Sequence, residues 1–419
     1  MKSFIKRCKT MKIIIIGAGI SGLSLAWELQ REHDVTVLEA SPRVGGWIQS
    51  KNIEGAIFEC GPRSIRGDVQ FPLFEELGLI PIEAKASTKY LAVNGHLQKV
   101  PDTFLGLFSS SLGRKALLAL LSFPFRKKKV AHDESVGSYY AARFGSDFVD
   151  CFIDPMMAGI WAASPYSLSA AACKPTFKRG RTIFSFAGGL ESLPKAIAQR
   201  LSGTLLVNCT VTRIQEFSDH VKVTSADGSQ ICGDIVVSTI AAHQLQPLIQ
   251  DKVPFVPRNS VATVSFGFSE PLASPQGFGF LASSKQEPQL LGIVFDSAIF
   301  PEFNGPFQTR LSVMLGGERA KDIFSKTESE IQRLARQAVQ KYLHIQIEPQ
   351  VSIVMRAIDA IPAFPVGYIA QRKAFEANLE KRRIKILGSG FYNPSITDSL
   401  LSSQAFTKMG GLSNVEKYI

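Results

Sequence analysis

The sequence has few of the residues that build a metal site or a disulfide framework. It contains six cysteines and six histidines among 419 residues. The cysteines are scattered, with no C-x-x-C pair and no histidine at metal-ligand spacing, so we expect neither a zinc site nor a set of disulfides. Free thiols in a reducing cytoplasm fit this cysteine usage best.

Long apolar runs are also missing. A membrane span needs about 18 consecutive apolar residues, and the best candidate, residues 104–125, is interrupted by Arg114 and Lys115. The apolar run 13–16 is too short for the core of a secretory signal. Because a second methionine, Met11, stands directly before the first apolar run, either Met1 or Met11 can be the start.

Three common catalytic motifs are missing as well: G-x-S-x-G, H-E-x-x-H and a Gly-Lys pair of the Walker type. What remains is ordinary for a folded protein, with 45% hydrophobic and 20% charged residues. The length predicts two or three domains. A net charge of +11 suits an anionic partner or a solvated basic surface, and because no nucleic-acid motif accompanies it we do not expect nucleic-acid binding.

The first clear motif is G-x-G-x-x-G at residues 17–22, between an apolar strand predicted at 12–16 and a helix predicted at 23–32. Its glycines permit a tight turn, a close approach of the backbone to a pyrophosphate, and close packing of helix on strand. Glu39 ends a second predicted strand, 34–38, where it can accept from a ribose hydroxyl. The unit predicts dinucleotide binding.

A second glycine-rich segment favours FAD over NAD. Arg43, Gly45 and Gly46 follow Glu39 and supply a cation and exposed backbone amides to the diphosphate of a long, extended cofactor. An ordinary turn between βα units is the alternative interpretation.

Residues 39–48 resemble the second motif of the superfamily of amine oxidases, phytoene desaturases and protoporphyrinogen oxidases. Residues 56–66, with the sequence AIFECGPRSIR, resemble the segment typical of the protoporphyrinogen oxidase family. Three later stretches, 276–281, 291–297 and 313–317, agree with that family in the same order. The resemblance covers almost the whole chain from Met11, although the middle helical part is more divergent.

The resemblance implies two sets of site residues. Those expected to bind FAD are Gly17, Gly19, Ile20, Ser21, Gly22, Glu39, Ala40, Arg43, Gly45, Gly46, Trp47, Gly61, Pro62, Arg63, Ser64, Val211, Gly388, Ile396 and Asp398. Those expected to bind the substrate are Lys89, Arg63, Gly159, Met314 and Leu315. No catalytic side chain and no metal are implied, because hydride transfer is driven by the flavin.

Two departures from the family pattern affect these assignments. Lys89 stands where the family usually has an arginine that holds a substrate carboxylate, and a lysine offers a point charge in place of a planar fork. Carboxylate recognition is then looser or is shared with Arg63. In the C-terminal motif, Asn393 replaces a glycine and Leu401 replaces a glutamate, which puts individual flavin contacts there in doubt.

The activity implied by the resemblance is the FAD-dependent oxidation of protoporphyrinogen IX to protoporphyrin IX in haem biosynthesis. It removes six electrons in three flavin cycles, with molecular oxygen as the expected acceptor. Oxidation of coproporphyrinogen III and a flavin-binding protein without turnover remain open alternatives. The oligomeric state, including a homodimer, is left open.

We expect an α/β and α+β fold in three parts. A Rossmann-type FAD-binding domain is assembled from the discontinuous segments 11–84, 186–243 and 380–419, and residues 244–379 form a mixed β-sheet substrate domain. Residues 85–185 form a helical, membrane-facing subdomain. The apolar segment 104–125 and the basic residues 126–129 suggest peripheral contact with an anionic membrane, at the inner face of the cytoplasmic membrane. A buried helix with a solvated charge run is the alternative.

Overall fold

The computed structural model describes residues 10–101, 111–123, 133–173, 182–272 and 275–408. The strands of these residues are, in chain order, β1 Lys12–Ile16, β2 Asp34–Leu38, β3 Ser50–Ile53, β4 Ala56–Glu59, β5 Ile65–Gly67, β6 Pro81–Glu83, β7 Lys89–Val93, β8 His96–Lys99, β9 Thr182–Phe186, β10 Thr204–Leu206, β11 Val211–Glu216, β12 Val221–Ser225, β13 Gln230–Gly233, β14 Ile235–Ser238, β15 Arg258–Phe268, β16 Gly279–Ala282, β17 Leu290–Val294, β18 Thr309–Gly316, β19 Val351–Pro362 and β20 Ile384–Ile386. The α-helices are Ile20–Leu29, Pro72–Glu76, Ser111–Ser122, Val136–Phe144, Ser146–Phe148, Asp154–Trp161, Ala170–Cys173, Ser192–Arg200, Ala242–Leu245, Asp296–Ile299, Glu328–Leu343, Tyr368–Leu379 and Ile396–Lys408.

A parallel five-stranded sheet has the order β10-β2-β1-β14-β20. Its strands come from three distant parts of the chain, which confirms the prediction of a Rossmann-type domain built from discontinuous segments. The predicted strands 12–16 and 34–38 match β1 and β2 residue for residue. The helix between them begins at Ile20 and ends at Leu29, earlier than predicted at both ends.

Both faces of this sheet are covered, which is why β1 consists almost entirely of isoleucine. Ile13 and Ile15 pack in a cluster with Leu23 and Leu25 of the first helix. Ile14 and Ile16 point the other way, into a cluster that includes Tyr368 and other residues of the helix Tyr368–Leu379. The alternation of side chains along a strand therefore buries every isoleucine of β1.

The predicted single strand 231–239 is wrong, because two strands occupy it. β13 belongs to an antiparallel sheet with β11 and β12, whereas β14 belongs to the parallel sheet. Between them, the backbone N–H of Asp234 donates to the carbonyl of Lys12, and its carboxylate accepts from the N–H of Lys12. This exchange turns the chain from one sheet to the other. The predicted turn at Asp227 and Gly228 lies between β12 and β13 and is confirmed.

A seven-stranded mixed sheet has the order β19-β15-β18-β17-β16-β7-β8. One face of it packs against the helix Glu328–Leu343, whose N-terminus carries a capping box between Thr327 and Glu330. The edge strand β19 was not predicted from the sequence. Its side chains are mostly half-buried or exposed, and charged residues such as Arg356 interrupt the apolar pattern.

Residues 85–185 are not helical throughout. They begin with the hairpin β7–β8, which joins the seven-stranded sheet through parallel pairing of β7 with β16. The helices follow from residue 111 onward, and Asp154–Trp161 packs on β16 and β17. The division of the chain into three domains at the predicted boundaries stays a prediction.

Part of the predicted membrane-facing segment is described as the helix Ser111–Ser122. Its side chains Leu118 and Leu121 are 66% and 61% exposed. The basic residues 126–129 and most of the remainder of 104–125 lie outside the described residues. Among the residues that are described, no helix combines the length and apolarity needed to cross a bilayer.

Candidate functional site

The first glycine turn joins β1 to the helix Ile20–Leu29 as the motif predicts. Gly17 has φ +104°, a conformation that L-residues with a side chain rarely adopt. A Cβ at Gly22 would lie 1.9 Å from the carbonyl oxygen of Gly17, so only glycine lets the helix approach the strand this closely. Gly19, in contrast, faces open space, with no atom within 4 Å of the position of a Cβ.

The N-terminus of this helix is free to accept an anion. Its N-cap residue, Gly19, provides no side-chain cap, and the first turn carries no acidic residue. The first N–H groups of the helix therefore keep donors and a partial positive charge. Ile20 begins the helix, and Ser21, which is buried, contacts Ser399 of the helix Ile396–Lys408 through its hydroxyl at 3.1 Å.

The second glycine segment lies directly beside the first. Gly45 donates its N–H to the carbonyl of Ala18 at 2.8 Å, and Gly19 and Gly45 form an isolated parallel bridge. A Cβ at Gly46 would lie 3.3 Å from the Cα of Gly19. The structure thus brings together the two segments that the sequence predicts to bind one diphosphate.

Glu39 lies at the end of β2 beside both turns. Its Oε2 accepts from the N–H of Ala18 at 2.7 Å, and its Oε1 accepts from the N–H and hydroxyl of Ser41 at 2.9 and 2.8 Å. A carboxylate offers about four acceptor positions, so capacity remains for a further hydroxyl donor. Ala40, the next residue, is exposed.

Arg43 braces the second glycine turn. Its guanidinium donates to the carbonyls of Val44 and Ile48, both at 3.3 Å, and to that of Gly46 at 2.5 Å. These three bonds use part of its five N–H donors. Arg43 therefore shapes the turn and keeps donors for an anion.

Other residues predicted to bind FAD lie near the two glycine turns. A Cβ at Gly61 would lie 1.8 Å from the carbonyl oxygen of Trp47, whose side chain is 47% exposed, and Pro62 and Ser64 continue the same segment. A Cβ at Gly388 would lie 2.8 Å from the Cβ of Ser21, so the C-terminal motif lies at the start of the first helix.

Val211 and the C-terminal motif are the remaining parts of the predicted FAD site. Val211 begins β11, just after Cys209 donates its N–H to the carbonyl of Glu39 at 2.8 Å. Ile396 is buried at the start of the last described helix, and Asp398 follows in its first turn. Asp398 accepts from Asn393, the residue that replaces the family's glycine, at 2.5 Å.

Two cavities flank the start of this last helix. One, of about 500 Å³, is bordered by Phe364, Tyr368, Asn393 and Asp398 among others. The other, of about 410 Å³, is bordered by Ile65 and further side chains that include Thr397. Neither is lined by Gly19 or Met314, so these cavities adjoin the cofactor motifs without containing the diphosphate turn.

Together these features fit a dinucleotide. The uncapped helix, the open space at Gly19 and the spare acceptor on Glu39 match a pyrophosphate and a ribose. The second glycine turn and Arg43 lie beside the first turn and lengthen the anion site, as a long cofactor such as FAD requires. Thr239 was not identified from the sequence; its hydroxyl lies 2.9 and 3.1 Å from the carbonyl oxygens of Ile16 and Gly17, and its single proton, shared between them, fixes the first turn.

Three of the five residues predicted to bind the substrate lie on the seven-stranded sheet: Lys89, Met314 and Leu315. Cross-strand register places Lys89 beside Gly279 and places Met314 beside Gly292, which itself is paired with Leu281. Because side chains alternate along each strand, Lys89, Leu281 and Met314 share one face of the sheet. A Cβ at Gly159 would lie 2.5 Å from Leu281, so Gly159 of the helix Asp154–Trp161 covers the same face.

Met314 and Leu315 point in opposite directions, because they are neighbours on β18. Leu315 is 2% exposed and belongs to the core beneath the helix Glu328–Leu343. Met314 is half-buried between Ile57 of β4 and Ala158 of the helix Asp154–Trp161. The side chain of Leu315 therefore does not lie on the face that Met314, Lys89 and Gly159 share.

Lys89 and Arg63 differ in their electrostatic surroundings. Arg63 forms a salt bridge with Asp296 at 3.6 Å, and both side chains are largely buried. Lys89 has no carboxylate partner among the ion pairs of the described residues; burial of its side chain and the nearby guanidinium of Arg66 lower the pKa of its ammonium group. Of the two cations, Lys89 is therefore the one whose charge is not offset by a carboxylate in the described part of the chain.

Glu59 is a buried acid that sequence analysis overlooked. It accepts from the hydroxyl of Ser50 at 2.7 Å and from the N–H of Leu190 at 2.8 Å. Burial raises its pKa to about 7. The bond to Leu190 holds the start of the helix Ser192–Arg200, where Pro194 packs against Gly45. Its position within the motif at 56–66 was the available signal.

Comparison with known proteins agrees with this geometry. Residues 20–381 match the family described as flavin containing amine oxidoreductase. A protoporphyrinogen oxidase from Homo sapiens is 27% identical, over 94% of this chain and 96% of its own length. A coproporphyrinogen III oxidase from Bacillus subtilis is 25% identical, over 94% and 96%. A crystal structure from Exiguobacterium sp. 255-15 has a TM-score of 0.84 at 20% identity, covering 97% of this chain and 99% of that one, which shows the shared fold.

Proposed function

Because this chain belongs to the family of flavin-containing amine oxidoreductases and is an FAD-dependent oxidoreductase, we propose that it oxidises protoporphyrinogen IX to protoporphyrin IX in haem biosynthesis. Relatives that carry this activity in their names align over nearly the whole chain. The motif at 56–66, and its order relative to the three later stretches, also support the proposal.

The observation that carries the proposal is the shared face of the seven-stranded sheet. Met314 and Leu281 give it an apolar surface, Gly159 lies against it without a side chain, and Lys89 supplies a cation. A large apolar macrocycle edged with carboxylates needs apolar walls and a cation at the rim. β4 and the segment 61–66, which we assign to FAD, border the same face through Ile57 and Arg63.

The residues of the chain bind and orient. We assign the diphosphate to Gly17, Gly19, Gly22, Gly45 and Gly46, and the ribose to Glu39. Bound FAD supplies the two-electron acceptor in each of three cycles. The protein fixes the macrocycle by its apolar faces and a carboxylate by Lys89, so that a bridging carbon is held for reaction and water is excluded.

We propose roles for the other predicted residues on their placement. Ile20, Ser21, Ala40, Arg43, Trp47, Gly61, Pro62, Arg63, Ser64, Val211, Gly388, Ile396 and Asp398 contribute to the FAD site. For Leu315 only the backbone is available to the substrate, because its side chain belongs to the core. The three-domain division, with boundaries at 84, 185, 243 and 379, is part of the same proposal.

Coproporphyrinogen III is the second candidate substrate, since a bacterial relative is named for that activity. It carries four carboxylates, so it requires more cations than Lys89 at the rim. Arg66, which is exposed and near Lys89, is the available second cation. A flavin-binding protein without turnover is the remaining alternative, and it predicts a bound yellow cofactor that no porphyrinogen bleaches.

We infer that molecular oxygen is the acceptor and that the protein acts in the cytoplasm at the inner face of the cytoplasmic membrane. The exposed leucines of the helix Ser111–Ser122 and the overall positive charge support contact with anionic lipid. Sedimentation with anionic vesicles tests this, using a variant with residues 126–129 changed to glutamine. Equal sedimentation of both proteins contradicts the electrostatic part of the proposal.

One assay tests the function. Purified protein is mixed in air with protoporphyrinogen IX or coproporphyrinogen III, and the fluorescence of the porphyrin product is followed against a boiled control. We expect faster product formation with protoporphyrinogen IX. A faster rate with coproporphyrinogen III reverses the assignment of substrate, and no product from either contradicts the proposal while leaving FAD binding intact.

A further inference from the structure

The salt bridge between Arg63 and Asp296 joins two parts of the chain that the sequence separates by more than 200 residues. Arg63 belongs to the segment that follows β4, and Asp296 follows β17 on the seven-stranded sheet. The side chains are only 12% and 14% exposed, and their charged atoms lie 3.6 Å apart. At this burial an ion pair keeps much more of its interaction than it would at the surface.

Asp296 is held from a second side. The hydroxyl of Ser312 donates to its Oδ2 at 2.6 Å. Since that bond uses the only hydroxyl proton of Ser312, the contact with Ser265 at 2.9 Å must be a donation from Ser265 to Ser312. Both serines are almost fully buried. A line of hydrogen bonds thus crosses from β15 to the carboxylate and fixes its orientation.

Two guanidinium groups lie near Asp296, Arg63 against its carboxylate and Arg310 against its backbone carbonyl. Arg310 is 3% exposed and donates to the carbonyls of Ile57 and Phe300 and, at 3.4 Å, to that of Asp296. Arg63 donates to the carbonyl of Glu59 at 3.2 Å. The neighbouring acid Glu59 is buried, and this raises its pKa to about 7. Glu59 is only partly ionised near neutral pH, so Asp296, which pairs directly with Arg63, is the main counter-charge of this cluster.

The cluster lies between the two halves of the candidate site. Arg310, Ser312 and Met314 alternate onto the same face of β18, which is the face assigned to the substrate. Arg63 lies within the segment 61–66 assigned to FAD. A change at Asp296 is therefore expected to affect both the FAD-binding segment and the substrate face, although Asp296 is not itself assigned to either.

We propose that Asp296 is a positioning residue that acts through Arg63: it fixes the segment 61–66 against the sheet face that carries Met314, and it compensates the charge of the guanidinium. Arg63 is then committed to Asp296, and the substrate carboxylate falls to Lys89. The inference rests on the proposed function, because it takes residues 61–66 to border the bound flavin.

The test is a double-mutant cycle on the full-length holoprotein with Asp296→Asn and Arg63→Gln. Removing the carboxylate frees Arg63 and loosens the segment 61–66, so Asp296→Asn is expected to raise the Kd for FAD about tenfold. It also shifts the flavin reduction potential to a more positive value, because the reduced cofactor carries more negative charge. In the Arg63→Gln background, adding Asp296→Asn is expected to change the Kd for FAD little, because the ion pair that holds the segment is already lost.

Asp150→Asn is the matched control. Asp150 pairs with Lys285 at 2.6 Å near the surface, so its removal deletes the same charge elsewhere. It is expected to leave the Kd for FAD and the potential as in the wild type. If Asp296→Asn does not fold, Ser312→Ala carries the test, because it removes only one hydrogen bond to Asp296, and a rise of about threefold in the Kd for FAD is expected.

Two results overturn the proposal. One is a folded Asp296→Asn, or in its absence Ser312→Ala, with unchanged Kd and unchanged potential. The other is the same rise in the Kd for FAD with and without Arg63, which means that Asp296 does not act through it. Normal FAD binding and potential without porphyrin formation would instead contradict the proposed substrate and leave this inference standing.

Discussion

The carboxylate of Glu39 accepts a hydrogen bond from the backbone N–H of Ala18 at 2.7 Å, which ties the end of β2 to the glycine turn after β1. An acid at this position holds the turn and, in the proposed FAD site, also accepts a ribose hydroxyl. Glu39→Gln keeps the first bond, because its amide oxygen still serves Ala18, whereas its NH₂ group can accept neither from Ser41 nor from a ribose. We expect the Kd for FAD to rise by about tenfold or more, measured by titrating apoprotein with FAD.

The control for this variant is Glu32→Gln, an exposed acid in the same unit. It removes the same charge at a greater distance from the turn. If both variants weaken FAD equally, the effect comes from net charge and the ribose assignment of Glu39 is wrong.

Gly19 and Gly22 are expected to fail in different ways. A Cβ at Gly22 meets the backbone oxygen of Gly17 at 1.9 Å, whereas one at Gly19 meets nothing within 4 Å. Gly22→Ala should lower the free energy of unfolding of the apoprotein by about 3 kcal/mol or more. Gly19→Ala should change it by about 1 kcal/mol at most and raise the Kd for FAD about 10- to 100-fold, because the methyl group occupies ligand space. Urea unfolding and FAD titration measure the two quantities, and a Gly19→Ala variant that binds FAD normally would mean that the space at Gly19 is not the diphosphate site.

Glu59 should make the stability of the protein depend on pH. Burial raises its folded-state pKa to about 7 from 4.5, so the fold favours the protonated acid. The contribution of the neutral carboxyl is complete below pH 4.5 and is lost as the pH rises from 4.5 through about 7, with a total near 3 kcal/mol in order of magnitude. Glu59→Gln stays neutral and should therefore gain on the wild type between pH 5 and pH 8.

Urea unfolding at pH 5 and at pH 8 checks this. Glu59→Ala is the comparison, because it loses the bonds from Ser50 and Leu190 at both pH values and should be destabilised at each. A difference between Glu59→Gln and the wild type that does not change with pH would show that Glu59 does not titrate in this range.

Lys89 should control substrate binding more than turnover. Lys89→Met removes a cation that binds ground state and transition state alike, so we expect KM to rise about 10- to 100-fold with kcat much less changed. Because burial and Arg66 lower the pKa of Lys89, binding should weaken at a lower pH than an ordinary lysine allows. Lys89→Arg stays charged and should remove that alkaline loss.

Steady-state kinetics across the alkaline range test both statements. The matched control is Lys321→Met, which changes an exposed lysine outside the strands of the seven-stranded sheet. An unchanged KM in Lys89→Met, or an alkaline limb that persists in Lys89→Arg, would remove Lys89 from the carboxylate site.

Local features of the chain were predictable where one segment decides its own structure. The isoleucines of β1, the glycines after it and the acid at the end of β2 act within about 30 residues, and the structure places them as predicted. The strand β19 was not predictable in this way, because its pairing with β15 depends on partners almost 100 residues earlier. Likewise, alternation along β18 places Met314 and Leu315 on opposite faces, but which of the two faces the core covers depends on the distant helix Glu328–Leu343.

The same reason explains the overlooked polar residues. Glu59 and Leu190 are 131 positions apart, and no local pattern connects an acid to a backbone N–H at that distance. Asp296 stood within a matching motif, but its partner Arg63 is separated from it by the whole middle of the chain. The sequence suggests candidate residues, and the fold decides which of them meet.

The most direct test of the account is anaerobic reduction of the holoprotein by protoporphyrinogen IX. With substrate limiting, we predict that the visible absorbance of oxidised FAD is lost together with the appearance of porphyrin, at three flavins reduced for each porphyrin formed. Admission of air should then restore the oxidised spectrum. A protein that contains FAD but keeps its oxidised spectrum in excess protoporphyrinogen IX would contradict the account.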